Sequence, residues 1–265
     1  MWPYICAQWP AATRLQKIID HYKFVDSVHP SLTFPVTESL EIIEMSTLIL
    51  GLRIVIDKPK WFIREGQMTV NLFVSERRLF SLAFSFGIES GRSSAYIGGI
   101  QGVRGEESLN SYRDLTKVLY GIRPRDFLFE VFRGICRSLD VRQIYAISDT
   151  GRHHRSTYFG KVKAESLHVE YDEIWRERGG QPYGASFFRL SSDSNRRELT
   201  EIPSKKRAMY RKRYEFLTDT EEQIATALGT GSRHPHGSPV ATGNDGLLPN
   251  RSDALGQAAE STPER

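Results

Sequence analysis

The chain is 265 residues long, 39% hydrophobic and 11% aromatic, with 36 Lys and Arg against 32 Asp and Glu for a formal charge of +4; this suits one domain with a real core and falls short of the basic excess of a dedicated nucleic-acid binder, so nucleic acid is disfavoured as a partner. Its two cysteines, Cys6 and Cys136, can build neither a disulfide framework nor a four-thiolate zinc site. The longest apolar stretch, Met45 to Ile56, is broken by Gly51 and Arg53 and is far below the roughly 20 residues of a bilayer crossing, and Met1 to Pro10 lacks the pattern of a secretory leader, so a cytoplasmic protein is expected.

In chain order, Leu15, Ile18, Ile19, Tyr22 and Val25 fall at helical spacing and Pro30 ends this entry helix. A second apolar segment runs from Leu40 to Leu52, and the N-terminal part, residues 11–58, is expected to be helical. After Pro59 the period becomes two. Met68, Val70, Leu72 and Val74, then Leu79 to Phe86 and Ala95 to Ile100, read as three consecutive antiparallel strands joined by short turns.

The period returns to about 3.6 near Ser111, where S-Y-R-D has the capping-box pattern that satisfies free amides at a helix start. Gly121 breaks this helix, and Pro124 suits the first turn of the next, which carries Phe127, Leu128, Val131, Phe132, Ile135 and Leu139. Gln143 to Ser148 reads as a strand, Tyr171 to Trp175 as a helix ended by Gly179-Gly180, and Phe187 to Leu190 as a last strand. The order predicts an α+β fold: a single mixed sheet with an antiparallel meander flanked by helices, in one domain over 1–217 whose sheet-containing core is 59–217. From Thr218 the composition turns to small and polar residues, and 218–265 is expected to be a disordered tail.

Before that tail, E-I-P-S-K-K-R-A-M-Y-R-K-R-Y-E-F-L spans Glu201 to Leu217. Lys205, Lys206, Arg207, Arg211, Lys212 and Arg213 fall all round a helix, while Tyr210, Tyr214 and Leu217 form a stripe that could dock on a core. The block is either a solvated terminal helix or a surface for an anionic lipid headgroup or a protein partner, since guanidinium and ammonium groups suit phosphates.

No nucleophile elbow, zinc-protease helix, phosphate-binding lysine loop or dinucleotide fingerprint stands in its required setting, which disfavours hydrolase, kinase and dehydrogenase chemistry. His153 and His154 are adjacent and would face different ways on any regular element, so no metal site is expected. Either could still serve with Tyr158 as base and acid near the end of the strand before them.

Several phrases resemble the VirK/YbjX family of Gram-negative bacterial proteins: Y-I-G-G-I-Q-G at Tyr96 to Gly102, L-T-K-V-L-Y-G-I-R-P at Leu115 to Pro124, A-I-S-D at Ala146 to Asp149, Y-D-E-I-W-R-E-R-G-G at Tyr171 to Gly180, and the basic block. His21-Tyr22 and Arg64-Glu65-Gly66 fit as well. The likeness runs from about Ala11 to Leu217. It implies an accessory protein of the cell envelope, peripheral at the inner membrane, linked to outer-membrane remodelling, virulence and tolerance of antimicrobial peptides. Asp149 departs from the family, which more often has asparagine there.

The element order after Gln67 is also similar to the GCN5-related acyltransferase fold, in which a phosphate-binding loop offers helix-start amides to the pyrophosphate of an acyl-coenzyme A. Gly98, Gly99, Gln101, Gly102 and Gly105 fall where that loop would lie. Their spacing departs from the usual one, and a strand bulge followed by a plain turn is the competing reading.

Overall fold

The computed structural model describes residues 2–28, 30–160, 170–194, 196–230 and 233–235. The entry helix is α1 (Ala11–Val28). Beyond it the expectation of a helical 11–58 is overturned, because 38–57 forms a hairpin of β1 (Glu38–Glu44) and β2 (Leu52–Asp57). A bulge between Glu41 and Ile43 turns both Ile42 and Ile43 into the core, which removes the period of two that marks a strand.

The meander follows as predicted: β3 (Met68–Val74), β4 (Arg77–Glu89) and β5 (Arg92–Gly102), each antiparallel to the one before. Two helices, α2 (Glu106–Val118) and α3 (Pro124–Ser138), carry the chain to β6 (Gln143–Ile147), which pairs parallel with β5. The capping box expected at Ser111 is overturned, since α2 starts at Glu106 behind Gly105 and Ser111 lies within it. Then come α4 (Tyr171–Arg176), β7 (Gln181–Tyr183), β8 (Phe187–Ser191), α5 (Ser204–Thr230) and β9 (Arg233–Pro235). The described strands make one mixed sheet in the order β7-β8-β6-β5-β4-β3-β2-β1-β9. This is the α+β architecture expected.

Apolar packing fixes the layers. Phe127, Leu128, Val131, Phe132 and Ile135 of α3 are all fully buried, and Phe132 meets Phe84 of β4 at 4.8 Å between ring centroids; each such side chain stabilises by roughly 1.5–3 kcal/mol. Outside α3 lies α5, with Phe216 stacked on Phe127 at 5.4 Å. The disordered tail expected from Thr218 is overturned as far as Thr230: Leu217, Thr220, Ile224 and Leu228 form a buried stripe that continues the helix. The remainder of that predicted tail, 231–232 and 236–265, lies outside the described residues. Among the described residues no helix is long and apolar enough to cross a membrane.

Two strands run past their neighbours, and each overhang is closed by a side chain. β4 outruns β3, whose pairing ends at Met68↔Phe84. The Phe86 amide there donates to Nδ1 of His21 on α1 at 3.1 Å, and burial pushes the His21 imidazole down to about 3, with Lys58 adding to the effect. β5 outruns β6 in the same way, and that overhang lies at the site below.

A buried polar network sits between β2, β3 and β4. Asp57, with no exposed surface, pairs with Arg78 at 2.7 Å and accepts from Asn71 Nδ2 at 2.9 Å and from the Thr69 hydroxyl. Ser81 completes it by donating to Asn71 Oδ1 at 2.7 Å. Buried charge is tolerated when it is paired and hydrogen-bonded in this manner.

Candidate functional site

β5 and β6 pair parallel inside the sheet, and their pairing ends at Ile97↔Ala146. Beyond that point β5 continues to Gly102, and the register shift opposite Ala83 and Phe84 places a bulge at Gly98. α4 is wedged across the gap. Its Tyr171 hydroxyl accepts from the Ile100 amide at 3.0 Å and donates to the Ile100 carbonyl at 3.2 Å, while Trp175, one turn on, donates from Nε1 to the Ile147 carbonyl at 2.8 Å. The i, i+4 spacing thus ties one face of α4 to both strands. Burial pushes the Tyr171 phenol up to about 12.

Asp149, just past β6, fixes where α4 begins. Its two carboxylate oxygens accept from the Tyr171 and Asp172 amides at 3.0 and 3.2 Å, and Asp172 Oδ1 accepts from the Asp149 amide at 2.8 Å. An aspartate therefore caps two donors with its two carboxylate oxygens, where an asparagine would offer one acceptor oxygen. Gly180 closes the wedge, since a Cβ there would lie 2.8 Å from the Trp175 carbonyl oxygen.

The segment before β3 folds onto the bulge. A Cβ on Gly98 would come within 2.0 Å of the Glu65 carbonyl oxygen, and one on Gly99 within 2.4 Å of Glu65 Oε2. These glycines are small because Glu65 lies against them. Gly98, Gly99, Gln101 and Gly102 are therefore strand residues, and the phosphate-cradling loop expected over them is corrected to a bulged strand end; Gly102 in turn faces Phe80 and Tyr112. Gly105 stands apart at the start of α2 with a φ of +123° and open space around it.

Glu65 meets the histidines at this place. His153 and His154 lie on a 3-10 turn, residues 153–155, with ring centroids 3.7 Å apart. The reading that adjacent histidines diverge holds for regular helices and strands and is corrected here by the tight turn. Glu65, His153 and His154 each present a ligand-type atom, and these atoms lie within 4.8 Å of one another. Glu65 and His153 are buried and His154 is half-buried. Among the described residues the Glu65 carboxylate accepts one long hydrogen bond, from Gln101 Nε2 at 3.4 Å. Burial pushes its acid up to about 7, with Arg152 pulling the other way. The Arg152 guanidinium lies over the Tyr171 ring at 4.2 Å, and Phe159 stands 5.8 and 5.6 Å from the two imidazoles.

An N-terminal arm locks both loops. The Ile5 amide donates to the Arg64 carbonyl at 2.7 Å and the Ala7 amide to the Gly151 carbonyl at 2.8 Å, and Cys6 bridges to Arg152. Ile5 holds a φ of +51°, a left-handed backbone that is strained for a β-branched residue.

Of the residues singled out from sequence, Gln101, Gly98, Gly99, His153 and His154 come together here. Tyr158 is exposed beside Phe159, with the Arg64 guanidinium 5.6 Å over its ring. The basic block lies elsewhere, on the first turns of α5, and it divides. Arg207 donates to the Ile202 and Thr200 carbonyls and Arg213 to the Tyr120 carbonyl, so these two serve structure. Lys205, Lys206, Arg211 and Lys212 are exposed and form no ion pair among the described residues. Sequence reasoning missed Glu65 and the parts played by Tyr171 and Asp149. The signal was present, since all three belong to the phrases that carried the family resemblance. A hollow of about 330 Å³ between α3 and α5 is not part of this site; Arg137 and Glu221 on its wall pair with each other at 2.7 Å.

One family model, described as "Protein of unknown function (DUF535)", matches residues 1–226. The "Uncharacterized protein YbjX" of Escherichia coli K12 is 29% identical over 235 residues, covering 84% of this chain and 69% of that protein. Two uncharacterised proteins of Haemophilus influenzae are 32% and 29% identical over 130 and 155 residues; the matches cover 49% and 58% of this chain and half or less of theirs, 42% and 50%. No solved structure matches. The phrases that converge on the wedge and the bulge lie inside the matched span, and the chain belongs to the YbjX family of proteins, DUF535.

Proposed function

We propose that this chain is an acyl- or aminoacyl-transferase-like protein serving the cell envelope, with its reaction centre where β5 and β6 part. The observation that carries the reading is the convergence of Glu65, Gln101, His153, His154 and Tyr171 at the carboxyl end of a parallel strand pair, the place where open mixed sheets bind ligands. Support comes also from element order: a meander, helices, a strand, a helix and further strands, an order similar to that of the acyltransferase fold named above. Fold likeness alone licenses no reaction. In the transfer, an acceptor amine or hydroxyl attacks the thioester carbonyl, the new C–N or C–O bond forms as C–S breaks, and coenzyme A leaves as the thiol with the acceptor's proton. His153, His154 and Tyr158 are the groups this reading places near that proton's path.

Tyr171 now occupies the backbone groups of Ile100, so in this reading a thioester that pairs with β5 there displaces the hydroxyl. Thermal unfolding with coenzyme A, acetyl-coenzyme A and a long-chain acyl-coenzyme A tests this. At about 100 times its dissociation constant a ligand adds roughly 2.7 kcal/mol, and the expected result is a midpoint raised by several degrees, more in Tyr171→Phe. No shift with any thioester in either protein removes the transferase reading.

The exposed quartet Lys205, Lys206, Arg211 and Lys212 favours a second reading, a non-catalytic factor that holds anionic lipid or an envelope-associated protein. Its test is salt-sensitive binding to anionic vesicles, lost when the four are changed to glutamine.

A further inference from the structure

We infer that Glu65, His153 and His154 form a binding site for a divalent transition-metal ion of the zinc type, with at least one coordination position left for an exogenous ligand. The three side chains come from two loops on opposite sides of the meander, and nothing in local sequence obliges them to meet. They nevertheless place three ligand-type atoms within 4.8 Å of one another, two of the residues buried and one half-buried. Zinc-type ions hold imidazole nitrogen and carboxylate oxygen at about 2.0–2.2 Å, so tetrahedral geometry sets the donors about 3.3 Å apart. Modest side-chain rotations close the remaining distance. Two imidazoles and one carboxylate suit zinc, iron or cobalt; calcium and magnesium take oxygen ligands and are disfavoured by the nitrogens.

The surroundings fit a ligating role for Glu65. Gln101 Nε2 approaches Oε2 at 3.4 Å, which leaves Oε1 for an ion and orients the carboxylate from behind, as outer partners do at metal sites. Gly98 and Gly99 are the only residue type that lets Glu65 lie so close to β5. The N-terminal arm fixes both loops through the Arg64 and Gly151 carbonyls, so the ligands are held from their backbones.

Arg152 borders the site. It acts electrostatically on Glu65 and lies over Tyr171. A divalent ion held by one carboxylate and two imidazole nitrogens keeps net positive charge in a buried place, which favours an anionic further ligand: hydroxide, a carboxylate or a phosphate. The competing account is a hydrogen-bonded Glu–His–His cluster that holds no ion.

The full chain, stripped with a chelator, is titrated with Co²⁺ and with Zn²⁺, and bound metal is measured after gel filtration. The expected result is one ion per chain, an intense visible cobalt spectrum of low coordination that Zn²⁺ abolishes, and a raised unfolding midpoint. His154→Gln, at the half-buried position, and Glu65→Gln are expected to lose the ion while keeping the native circular dichroism. Gln101→Met is expected to bind roughly 10-fold more weakly. No stoichiometric ion in the wild type overturns the inference, and so does binding that survives in both His154→Gln and Glu65→Gln, which would place the ion on other histidines. With an ion bound, His153 and His154 are ligands and not the proton acceptors of the transferase reading; metal content is read without any thioester, so the two fail separately.

Discussion

Asp57, the last residue of β2, and Glu65, just before β3, are both buried carboxylates, 0% and 8% exposed, and the fold treats them in opposite ways. Asp57 has an arginine at 2.7 Å and amide and hydroxyl donors around it. Glu65 has one long contact to Gln101, an arginine acting at longer range, and two imidazoles in front of it. A satisfied carboxylate has no capacity left for a ligand and serves the architecture. An under-satisfied one is costly to keep, and that cost marks a place where something else completes the coordination.

The largest effect that can break this contrast is Asp57→Ala. It strands Arg78 and Asn71 in the core and is expected to cost about 3–5 kcal/mol in denaturant unfolding, with metal binding per folded chain unchanged. Glu65→Gln should show the reverse pattern, near-neutral or increased stability with loss of the ion; a matching loss of stability in the two variants would erase the distinction. Tyr171→Phe comes next. It leaves the Ile100 amide and carbonyl without the hydroxyl, for an expected cost of roughly 1–3 kcal/mol, and a cost below about 0.5 kcal/mol would mean that the wedge carries no load.

The His21 overhang gives an effect that is read as a pH signature. The imidazole titrates near 6.5 in the unfolded chain and is pushed down to about 3 in the folded one, so below about 6.5 the unfolded state takes up a proton that the folded state refuses. Stability from neutral His21 is complete above that pH and is lost as pH falls towards 3, by at most about 1.4 kcal/mol per pH unit. Comparison with His21→Asn isolates it from Glu65: the wild-type advantage should shrink from about pH 7 to about pH 4. A pH-independent difference would show that His21 accepts the proton in place.

The meander and α3 were legible because Met68, Val70 and Leu72 alternate with the polar Thr69 and Asn71, and because Phe127, Leu128, Val131, Phe132 and Ile135 recur at helical spacing. β1 and β2 were not, because the bulge at Ile42 and Ile43 buries consecutive residues. The second half of α5 was hidden for another reason: Thr220, Ile224 and Leu228 are spaced for a helix but sit among small polar residues whose composition resembles a loose tail. At the site, the histidines drew attention by chemistry alone. Glu65 did not, because its environment is made by Gly98, Gly99 and the turn at His153, all distant in sequence, and a carboxylate's burial is written in its neighbours.

The N-terminal arm has a consequence for the order in which the molecule is made. Ile5 and Ala7 leave the ribosome first, yet the carbonyls that hold them belong to Arg64 and Gly151, and Tyr171 emerges later still. The meander can close from local hairpins while the site waits for these long-range contacts. During synthesis the strained turn at Ile5 has nothing to hold it until Arg64 and Gly151 have emerged, so the candidate site closes after the meander and is loosened when either loop comes undone.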